Sequence, residues 1–340
     1  MSGDSPGSGL SRRRLLTRVA PLSVAGGALA AGGVSLGIGR AAAETGTFTT
    51  RRLTLYAEKV GDGFGYGLAP GAATVPGPTL VMREGERLEV KLVNRTAKTL
   101  SMHAHGVDYD VHSDGTMVND GCVAPGASRK FVFTAHRPSR RADGTYRAGS
   151  AGYWHYHDHC MGTEHGTEGI SKGLYGALIV RREGDPLPGR PPYVVVMLDS
   201  TINGRLAPKT PTFVANSGQR VEWVVISHMN SHHTFHLHGH RWADNRTGYL
   251  TGPADSSRVI DIKTIGPGES FGFQVIAGEG VGPGVWMYHC HVQFHADGGM
   301  VGTFLVRTPS GGLPTGAQAA LDHAARFRPA PMRHDMGMHM

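Results

Sequence analysis

Cysteine is scarce in this 340-residue chain, which contains only Cys122, Cys160 and Cys290. Three cysteines cannot all be paired with one another. Cys122 and Cys160 could form a disulfide in an oxidising compartment, and Cys290 would then be left over. The odd cysteine is either a buried free thiol or a metal-binding thiolate, and its sequence neighbours must decide between the two.

The chain also lacks a basic stripe, although its formal net charge is +7. Residues 1–43 contain five arginines and one aspartate and carry +4, so the remaining residues carry only +3. Because no concentration of basic residues remains outside this segment, the sequence argues against nucleic-acid binding.

No long apolar run follows residue 43, which predicts a mature protein without a membrane span. Residues 11–16 read Ser-Arg-Arg-Arg-Leu-Leu, a stretch of small apolar residues follows, and residues 41–43 are all alanine. This segment resembles a twin-arginine export signal, so we expect residues 1–43 to be removed and the protein to be secreted. Residues 19–38 could instead form a membrane anchor, but they are rich in glycine and alanine and offer little large apolar surface.

Charged residues make up only 18 % of the chain, whereas glycine is abundant, with 50 residues. Valine, threonine and glycine punctuate short apolar runs, which is typical of β-sandwiches. Residues 87–93 and 220–226 alternate as half-buried strands do. Since a chain of this length has room for two domains, we expect an all-β protein with two sandwiches.

Short histidine motifs occur twice. Residues 103–106, His-Ala-His-Gly, return 133 residues later as His-Leu-His-Gly at 236–239. Residues 155–157, His-Tyr-His, return 134 residues later as His-Cys-His at 289–291. The near-equal offsets predict duplication of one domain.

The strand that follows also repeats, because residues 173–180 match residues 299–306. We place domain 1 at residues 45–182 and domain 2 at residues 192–308, joined by a segment whose four prolines break regular structure. Residues 309–340 are poor in large apolar residues and end in a Met/His-rich stretch. We expect them to form a disordered tail that could capture copper.

Four His-x-His pairs in a duplicated frame favour a metal cluster. In a strand, residues i and i+2 point to the same face, so each pair can offer two imidazoles to one site. Cys290 must then face away from His289 and His291. The further donors on its side are His233, His295 and Met300. Two imidazoles, one thiolate and one thioether form the ligand set of a blue-copper electron-transfer site.

Together these motifs resemble those of the multicopper oxidases, in particular the small two-domain laccases, from Leu53 to Arg307. The resemblance implies two tandem cupredoxin-like Greek-key β-sandwiches and four coppers per active unit. It assigns the type 1 copper to His233, Cys290, His295 and Met300, and the type 2 copper to His103 and His236. The two type 3 coppers would be held by His105, His155, His157, His238, His289 and His291. Other histidines, including His159, His228 and His232, are expected to be surface or supporting residues.

In the repeated motifs, Tyr156 of domain 1 corresponds to Cys290 of domain 2, and Leu174 corresponds to Met300. Domain 1 therefore cannot build a blue-copper site and would supply only trinuclear ligands. Family members of this kind form the trinuclear site between domain 1 of one subunit and domain 2 of the next, so the resemblance implies a homotrimer. The sequence also allows closure within one chain.

The resemblance implies a laccase that oxidises phenols and aromatic amines one electron at a time and reduces dioxygen to water. Electrons would enter near His233 or His295. Asp114 and Asp261 are candidates for proton delivery or ligand orientation, and Tyr109 is a candidate auxiliary electron donor. Each of these three residues could equally be structural.

Three alternatives remain open. A metallo-oxidase acting on Cu(I) would suit the Met/His-rich tail and an exported protein. A copper nitrite reductase would lack the four His-x-His pairs and would carry its blue copper in the first domain. A non-enzymatic copper carrier or store would leave eight paired histidines without a role.

Overall fold

The structure is a computed structural model that describes residues 48–330. The predicted export signal and residues 331–340, which contain the Met/His-rich stretch, lie outside this range. No helix among the described residues has the length and apolar character needed to cross a membrane.

Residues 49–181 form the first sandwich. Its elements are β1 (Thr49–Val60), β2 (Gly63–Gly67), β3 (Gly77–Arg83), β4 (Glu86–Asn94), β5 (His103–Ala104), a 3-10 turn (Val111–Ser113), β6 (Ser128–Ala135), β7 (Ser139–Arg140), β8 (Tyr146–Arg147), β9 (Gly152–His157), α1 (Thr167–Ser171) and β10 (Tyr175–Arg181). One sheet has the order β2-β1-β4-β6 and the other β3-β10-β9-β5. Leu88 and Val90 of β4 alternate inward toward Phe133, as the sequence predicted for half-buried strands.

Residues 193–307 form the second sandwich, and a short helix follows it. The elements are β11 (Tyr193–Leu198), β12 (Thr201–Ile202), β13 (Thr212–Asn216), β14 (Arg220–His228), β15 (His233–Leu237), β16 (Trp242–Ala243), β17 (Val259–Ile260), β18 (Ile262–Ile265), β19 (Ser270–Ile276), β20 (Gly284–Cys290), α2 (Gln293–Asp297), β21 (Val301–Arg307) and α3 (Ala317–Ala324). Its main sheets have the orders β12-β11-β14-β19 and β13-β21-β20-β15-β18. The expectation of an all-β protein with two cupredoxin-like sandwiches is confirmed.

The two sandwiches pack directly against each other. Ile179 on the outer face of the first sandwich meets Val224 and Ile226 of β14. As a result β14 is buried on both faces, whereas its sequence alternation predicted a half-buried strand. Buried Glu222 forms an ion pair with Arg181 across this contact, so a charge network accompanies the apolar one.

The expected disorder of residues 309–340 is wrong for the described part. Helix α3 and Phe327 cover part of the outer face of β20 and β21 and border a groove of about 650 Å³. Farther along, the Ala330 N–H donates to the Asp297 carbonyl at 2.8 Å. The segment is poor in large side chains, but small apolar residues at helical spacing can cover a flat sheet face.

Candidate metal centres

The side chain of Cys290 lies among the donors that the sequence predicted for a blue-copper site. Its Sγ lies 3.4 Å from His295 Nδ1 and 3.7 Å from His233 Nδ1. Met300 is also fully buried, and its carbonyl accepts a hydrogen bond from the Cys290 N–H at 3.1 Å. Strand β15 begins with His233, β20 ends with Cys290, and α2 turns the chain so that His295 returns to the same point.

Burial controls the protonation of this donor group. It lowers the pKa of His233 to about 4, assisted by His295. Burial also lowers the pKa of His295 and raises the pKa of the Cys290 thiol. Neutral imidazoles with free lone pairs are ready metal ligands, and a bound copper would displace the thiol proton. The Thr234 N–H points at the sulfur at 3.5 Å and supports the thiolate. The donor set therefore fits a type 1 copper.

A second group of histidines lies at the same end of domain 2. His236 and His289 are directly opposite on β15 and β20. The Nε2 atoms of His238 and His289 face each other at 3.2 Å, and the ring of exposed His291 lies 5.6 Å from that of His236. The Nδ1–H groups of His236 and His289 donate to the carbonyls of Asp261 and Cys290 at 2.8 and 2.9 Å, which leaves both Nε2 atoms free to bind metal.

Domain 1 repeats this arrangement. His103 and His157 are directly opposite on β5 and β9, and the Nε2 atoms of His105 and His157 face each other at 3.1 Å. The Nδ1–H groups of His103 and His157 donate to the carbonyls of Asp114 and Asp158, each at 2.7 Å. The ring of His159 lies 5.3 Å from that of His103. The two domains thus carry matching histidine groups.

The predicted offset of 134 residues between the His-Tyr-His and His-Cys-His motifs is wrong by two. Tyr156 pairs with Gly176 as Tyr288 pairs with Gly302. Each tyrosine hydroxyl donates to a proline carbonyl at 2.7 Å. Residues 152–159 therefore match residues 284–291, and Asp158 rather than Tyr156 corresponds to Cys290.

This correction exchanges one predicted ligand for another. The carbonyl of His155 accepts from the His105 N–H, as that of Met287 accepts from the His238 N–H. His155 is therefore the counterpart of Met287, which lies outside the second histidine group. His159, expected to be a supporting residue, is the counterpart of His291. The spacing Trp-x-Tyr-His, shared by residues 154–157 and 286–289, is the sequence signal that identifies the right offset.

In domain 1, Asp158 occupies the position equivalent to the blue-copper cysteine and has a structural role. The Ser101 N–H donates to its carboxylate at 2.6 Å, as the Thr234 N–H points at the Cys290 sulfur. The Asp158 N–H bonds to the carbonyl of Leu174, which confirms that Leu174 replaces Met300. Domain 1 still lacks a blue-copper donor set, although the replaced residue differs from the one predicted.

His228, which the sequence analysis expected to be a surface or supporting residue, lies at the end of β14 outside every histidine pair. Its ring meets those of His155 and His157 edge-on at 4.8 and 5.2 Å. Burial lowers the pKa of His228 to about 3, and the pKa of His155 also falls far below its usual value through burial. Two neutral imidazoles therefore pack behind the domain 1 group.

Asp114 and Asp261, predicted to deliver protons or to orient ligands, adjoin His103 and His236, the first histidines of the two His-x-His-Gly motifs. Asp114 and Asp261 both contact these histidines through main-chain carbonyls, as described above, which orients the rings. Burial raises the pKa of the Asp114 carboxyl, but hydrogen bonds from Thr116 and Asn119 outweigh it and the net pKa is lowered. The ring of half-exposed Tyr109 lies 5.6 Å from that of His103.

Cys122 and Cys160 form a disulfide, and Cys290 is free and buried. Cys160 directly follows His159, so the crosslink ties the domain 1 histidine segment to the loop that contains Cys122. The odd cysteine of the chain is thereby the one inside the blue-copper donor group.

Within residues 48–330 the candidate metal-binding groups of the two domains are separate, although His228 of domain 2 packs against the domain 1 group. A pair of cupredoxin-like sandwiches with one Cys-His-His donor set beside buried Met300, and with two histidine groups, is typical of a copper protein of the blue-oxidase class.

Comparison with known proteins gives the family. One family model described as multicopper oxidase matches residues 72–185, and a second with the same description matches residues 187–310. The chain belongs to the multicopper oxidase family, as a small member with two domains.

Three similar proteins illustrate the range of this family. A probable nitrite reductase-hydroxylamine oxidoreductase fusion protein from Kuenenia stuttgartiensis is 34 % identical over 268 residues, or 72 % of this chain and 29 % of the relative. Laccase 1 from Metarhizium robertsii is 32 % identical over 32 % of this chain and 15 % of its own. A copper nitrite reductase structure from Nitrosomonas europaea covers 78 % of this chain and 98 % of its own with a TM-score of 0.58 and 21 % identity, which shows the shared fold. The chain spans less than a third of the length of the curated relatives it matches.

Proposed function

We propose that the protein is a laccase-type multicopper oxidase that oxidises phenols and aromatic amines with dioxygen. Four phenols would lose one electron and one proton each, and one dioxygen would take up four electrons and four protons to give two waters. When bound, the coppers would supply the one-electron acceptor and the site of dioxygen reduction. The observation that carries the proposal is the position of Cys290. Its side chain belongs to the blue-copper group, while the two histidines that flank it belong to the histidine group of domain 2.

The ligand assignment follows from the two groups. Type 1 copper would be held by His233, Cys290, His295 and Met300, and type 2 copper by His103 and His236. The two type 3 coppers would be held by His105, His157, His159, His238, His289 and His291. His155 is left out because its counterpart is Met287.

A homotrimer is part of this proposal. In the chain, the outer face of β9 and β10 packs on domain 2 through residues such as Tyr153 and Ile179. The corresponding face of domain 2 borders the α3 groove and leaves Met287 41 % exposed. If that face packs on domain 1 of another subunit, successive head-to-tail contacts can close a ring. The separate histidine groups would then meet between subunits.

We also propose that the protein is exported in folded form through the twin-arginine route. The support is the Arg-Arg-Arg-Leu-Leu sequence at residues 12–16 and the Cys122–Cys160 disulfide, which suits an oxidising compartment. Substitution of Arg12, Arg13 and Arg14 by Lys should retain the precursor inside the cell. Unchanged secretion of the variant would contradict this route.

The direct test combines copper content, visible and EPR spectra and oxygen uptake with 2,6-dimethoxyphenol. Four coppers per chain, one of them blue, with oxygen uptake would support the proposal. One copper per chain without oxygen uptake would instead indicate an electron carrier. Nitrite reduction without phenol oxidation would indicate a nitrite reductase, although domain 2 rather than domain 1 carries the blue-copper group.

A Cu(I) oxidase is the second candidate, because Ala330 lies against the helix that carries His295 and the Met/His-rich stretch follows it in the sequence. Ala330 is hydrogen-bonded to Asp297 of α2, the helix that carries His295. Residues 331–340 contain four methionines and two histidines. Removal of residues 331–340 spares α3 and should leave phenol oxidation unchanged. If the full protein strongly preferred Cu(I) and the truncated protein lost this preference, the proposed function would change from laccase to metallo-oxidase.

A further inference from the structure

The first histidine of each group is held in a different way in the two domains. In domain 2 the sheet continues beyond β15 to a fifth strand, β18, and His236 lies directly opposite Ile262 of that strand. The Asp261 carbonyl, which accepts from His236 Nδ1 at 2.8 Å, also accepts from the Leu237 N–H at 3.2 Å. Strand pairing therefore fixes the carbonyl that orients this histidine.

Domain 1 has no counterpart of β18 among the described residues. Its sheet ends at β5, so the Asp114 carbonyl that accepts from His103 Nδ1 at 2.7 Å belongs to a loop rather than to a strand. This 114–122 loop folds on itself, since the Gly121 N–H donates to the Thr116 carbonyl at 2.7 Å. The position of the orienting carbonyl therefore depends on what holds the loop.

The Cys122–Cys160 disulfide crosslinks the 114–122 loop to another part of the histidine group. Cys160 directly follows His159, whose ring lies 5.3 Å from that of His103. The Cys160 sulfur also lies 3.6 Å from the carbonyl oxygen of Gly115 in the same loop. One covalent bond thus holds the loop that orients His103 against the segment that carries His159.

A disulfide can stabilise a fold simply by constraining the unfolded chain, and that effect needs no ligand nearby. The internal repeat supplies a comparison. Because residues 152–159 match residues 284–291, the next residue, Cys160, corresponds to Val292. Domain 2 thus has strand pairing and a valine where domain 1 has a loop and a cysteine. The crosslink occurs in the domain whose orienting carbonyl lacks strand pairing.

We propose that the Cys122–Cys160 bond positions the domain 1 histidines and makes their copper binding depend on the redox state of the two cysteines. The inference rests on the proposed copper ligands and names the device that orders two of them, His103 and His159. When the bond is reduced, no covalent link remains between the loop and the His159 segment. Part of the copper-binding free energy is then used to order the ligands, so the affinity falls.

The redox step is thiol–disulfide exchange. Formation of the bond removes two electrons and two protons from the thiols, and a disulfide-containing oxidant takes them up and becomes a dithiol. The reverse step needs a dithiol reductant, whose thiolate attacks Cys122, because Cys122 is half-buried whereas Cys160 is buried. Copper therefore binds domain 1 weakly in a reducing compartment and tightly once the bond has formed in an oxidising one.

The first test measures order without metal, by amide hydrogen exchange of the copper-free protein. Three samples are compared: oxidised wild type, wild type reduced with a phosphine and kept anaerobic, and Cys122→Ala/Cys160→Val. The double variant fills the buried position with the residue of domain 2 and leaves no thiol there to bind metal. Reduced wild type and the double variant should both exchange about tenfold faster or more at residues 114–122 and 158–161. Residues 234–237 and 259–262 of domain 2 should exchange at the wild-type rate, and reoxidation of wild type should restore slow exchange.

The second test measures copper binding by the full chain at free Cu(II) concentrations set with a chelator. The blue band reports the type 1 copper, and total copper with the type 2 EPR signal reports the trinuclear copper. In Cys122→Ala/Cys160→Val, the free copper needed to half-load the trinuclear copper should rise by roughly 10- to 100-fold, as on loss of partners that orient a ligand. The blue band should appear at the wild-type copper concentration, because its donors all lie in domain 2.

Val90→Ala is the matched control, because Val90 is fully buried in the domain 1 core on β4, between β1 and β6. The cavity should lower the unfolding free energy of copper-free protein, measured with denaturant, but leave the copper concentration for half-loading unchanged. If Val90→Ala weakened copper binding as much as the double variant at a similar loss of stability, the disulfide would be a general stabilising bond and the inference would be wrong.

Unchanged hydrogen exchange or unchanged copper binding in the double variant would also overturn the inference. The proposed function fails in a different way. An oxidised wild-type protein that binds no copper at its histidine groups would defeat the proposed function itself. A fully loaded wild type with an equally loaded double variant would defeat only the role of the disulfide.

Discussion

Asp158 of the first sandwich occupies the position that Cys290 occupies in the second. Each follows a histidine whose Nδ1–H donates to the carbonyl of the residue after it. Each also receives a main-chain N–H from the facing segment, from Ser101 or from Thr234. The equivalence decides which histidines of domain 1 correspond to the histidine group of domain 2.

The exchange of His155 for His159 is directly testable. His159→Ala should reduce the copper content and lower oxygen uptake by about a hundredfold, because a proposed ligand is lost and removal of even a hydrogen-bonding partner of a ligand costs roughly 10- to 100-fold. His155→Gln should retain all coppers, since its counterpart is Met287. The measurements are copper per chain, EPR and oxygen uptake. Full copper in His159→Ala together with lost copper in His155→Gln would restore the offset of 134.

Cys290→Ser should abolish the blue absorption band and substrate oxidation but keep the trinuclear copper. A serine hydroxyl is a poor soft-metal donor, whereas the histidine group on the other side of the strand is untouched. Visible absorption, EPR and copper content report the two outcomes separately. Asp158→Asn serves as the comparison from domain 1 and should keep the blue band. Persistence of the band in Cys290→Ser would refute the ligand assignment.

The blue-copper group could be predicted almost completely from the sequence. Cys290 is the cysteine left without a disulfide partner, and its two neighbours are histidines that point to the other face of the strand. His295 and Met300 follow within ten residues, so local spacing alone brings these donors together. His233 joins them through pairing of β15 with β20, which the repeat implied.

The domain 1 ligands were harder to predict, because His155, His157 and His159 are all two residues apart. Any two of them satisfy the alternation rule, so the pair is selected by the cross-strand register and, in the sequence, by the Trp-x-Tyr-His spacing that the domains share. For His228 the sequence predicted a surface or supporting role but not the histidine group against which it packs. It reaches the cluster because the second sandwich packs on the first, a contact that leaves no local pattern in the sequence.

The copper-free protein should be sensitive to mild acid. Burial lowers the pKa of His105, His233 and His289 to about 4 and that of His228 to about 3. The unfolded chain has ordinary histidines and therefore binds more protons below pH 6.5. The free energy of unfolding should fall as the pH drops from about 6.5 to about 4, by up to about 1.4 kcal/mol per pH unit for each such histidine.

Denaturant titrations of the copper-free protein at several pH values test this acid sensitivity. His228→Phe should flatten the slope, and Asp62→Asn should leave it unchanged. A free energy of unfolding that is constant between pH 6.5 and 4 would contradict the burial of these rings.

The disulfide should leave one titratable thiol. In the unfolded, unreduced protein a thiol reagent should find Cys290 alone, and three thiols would reject the Cys122–Cys160 bond. The bond closes a loop with a sequence separation of 38 residues, which corresponds to about 4 kcal/mol in the chain-entropy account. The Cys122→Ser/Cys160→Ser double variant should therefore lose roughly 2–4 kcal/mol of unfolding free energy, measured with denaturant in the copper-free form.

Glu222 lies in the contact between the sandwiches. Its carboxylate accepts from Arg181 Nη1 and Nη2 and from the Tyr153 hydroxyl, and both charged side chains are almost fully buried. Glu222→Gln would leave the arginine charge buried without a counter-ion, which costs about 3 kcal/mol. Unfolding of the copper-free protein should show this loss, whereas Glu89→Gln, which breaks an exposed ion pair with Arg52, should have little effect. Because β14 carries both Glu222 and His228, Glu222→Gln should also loosen the packing behind the domain 1 histidines. Wild-type stability and wild-type copper content in Glu222→Gln would show that the apolar contact alone holds the two sandwiches together.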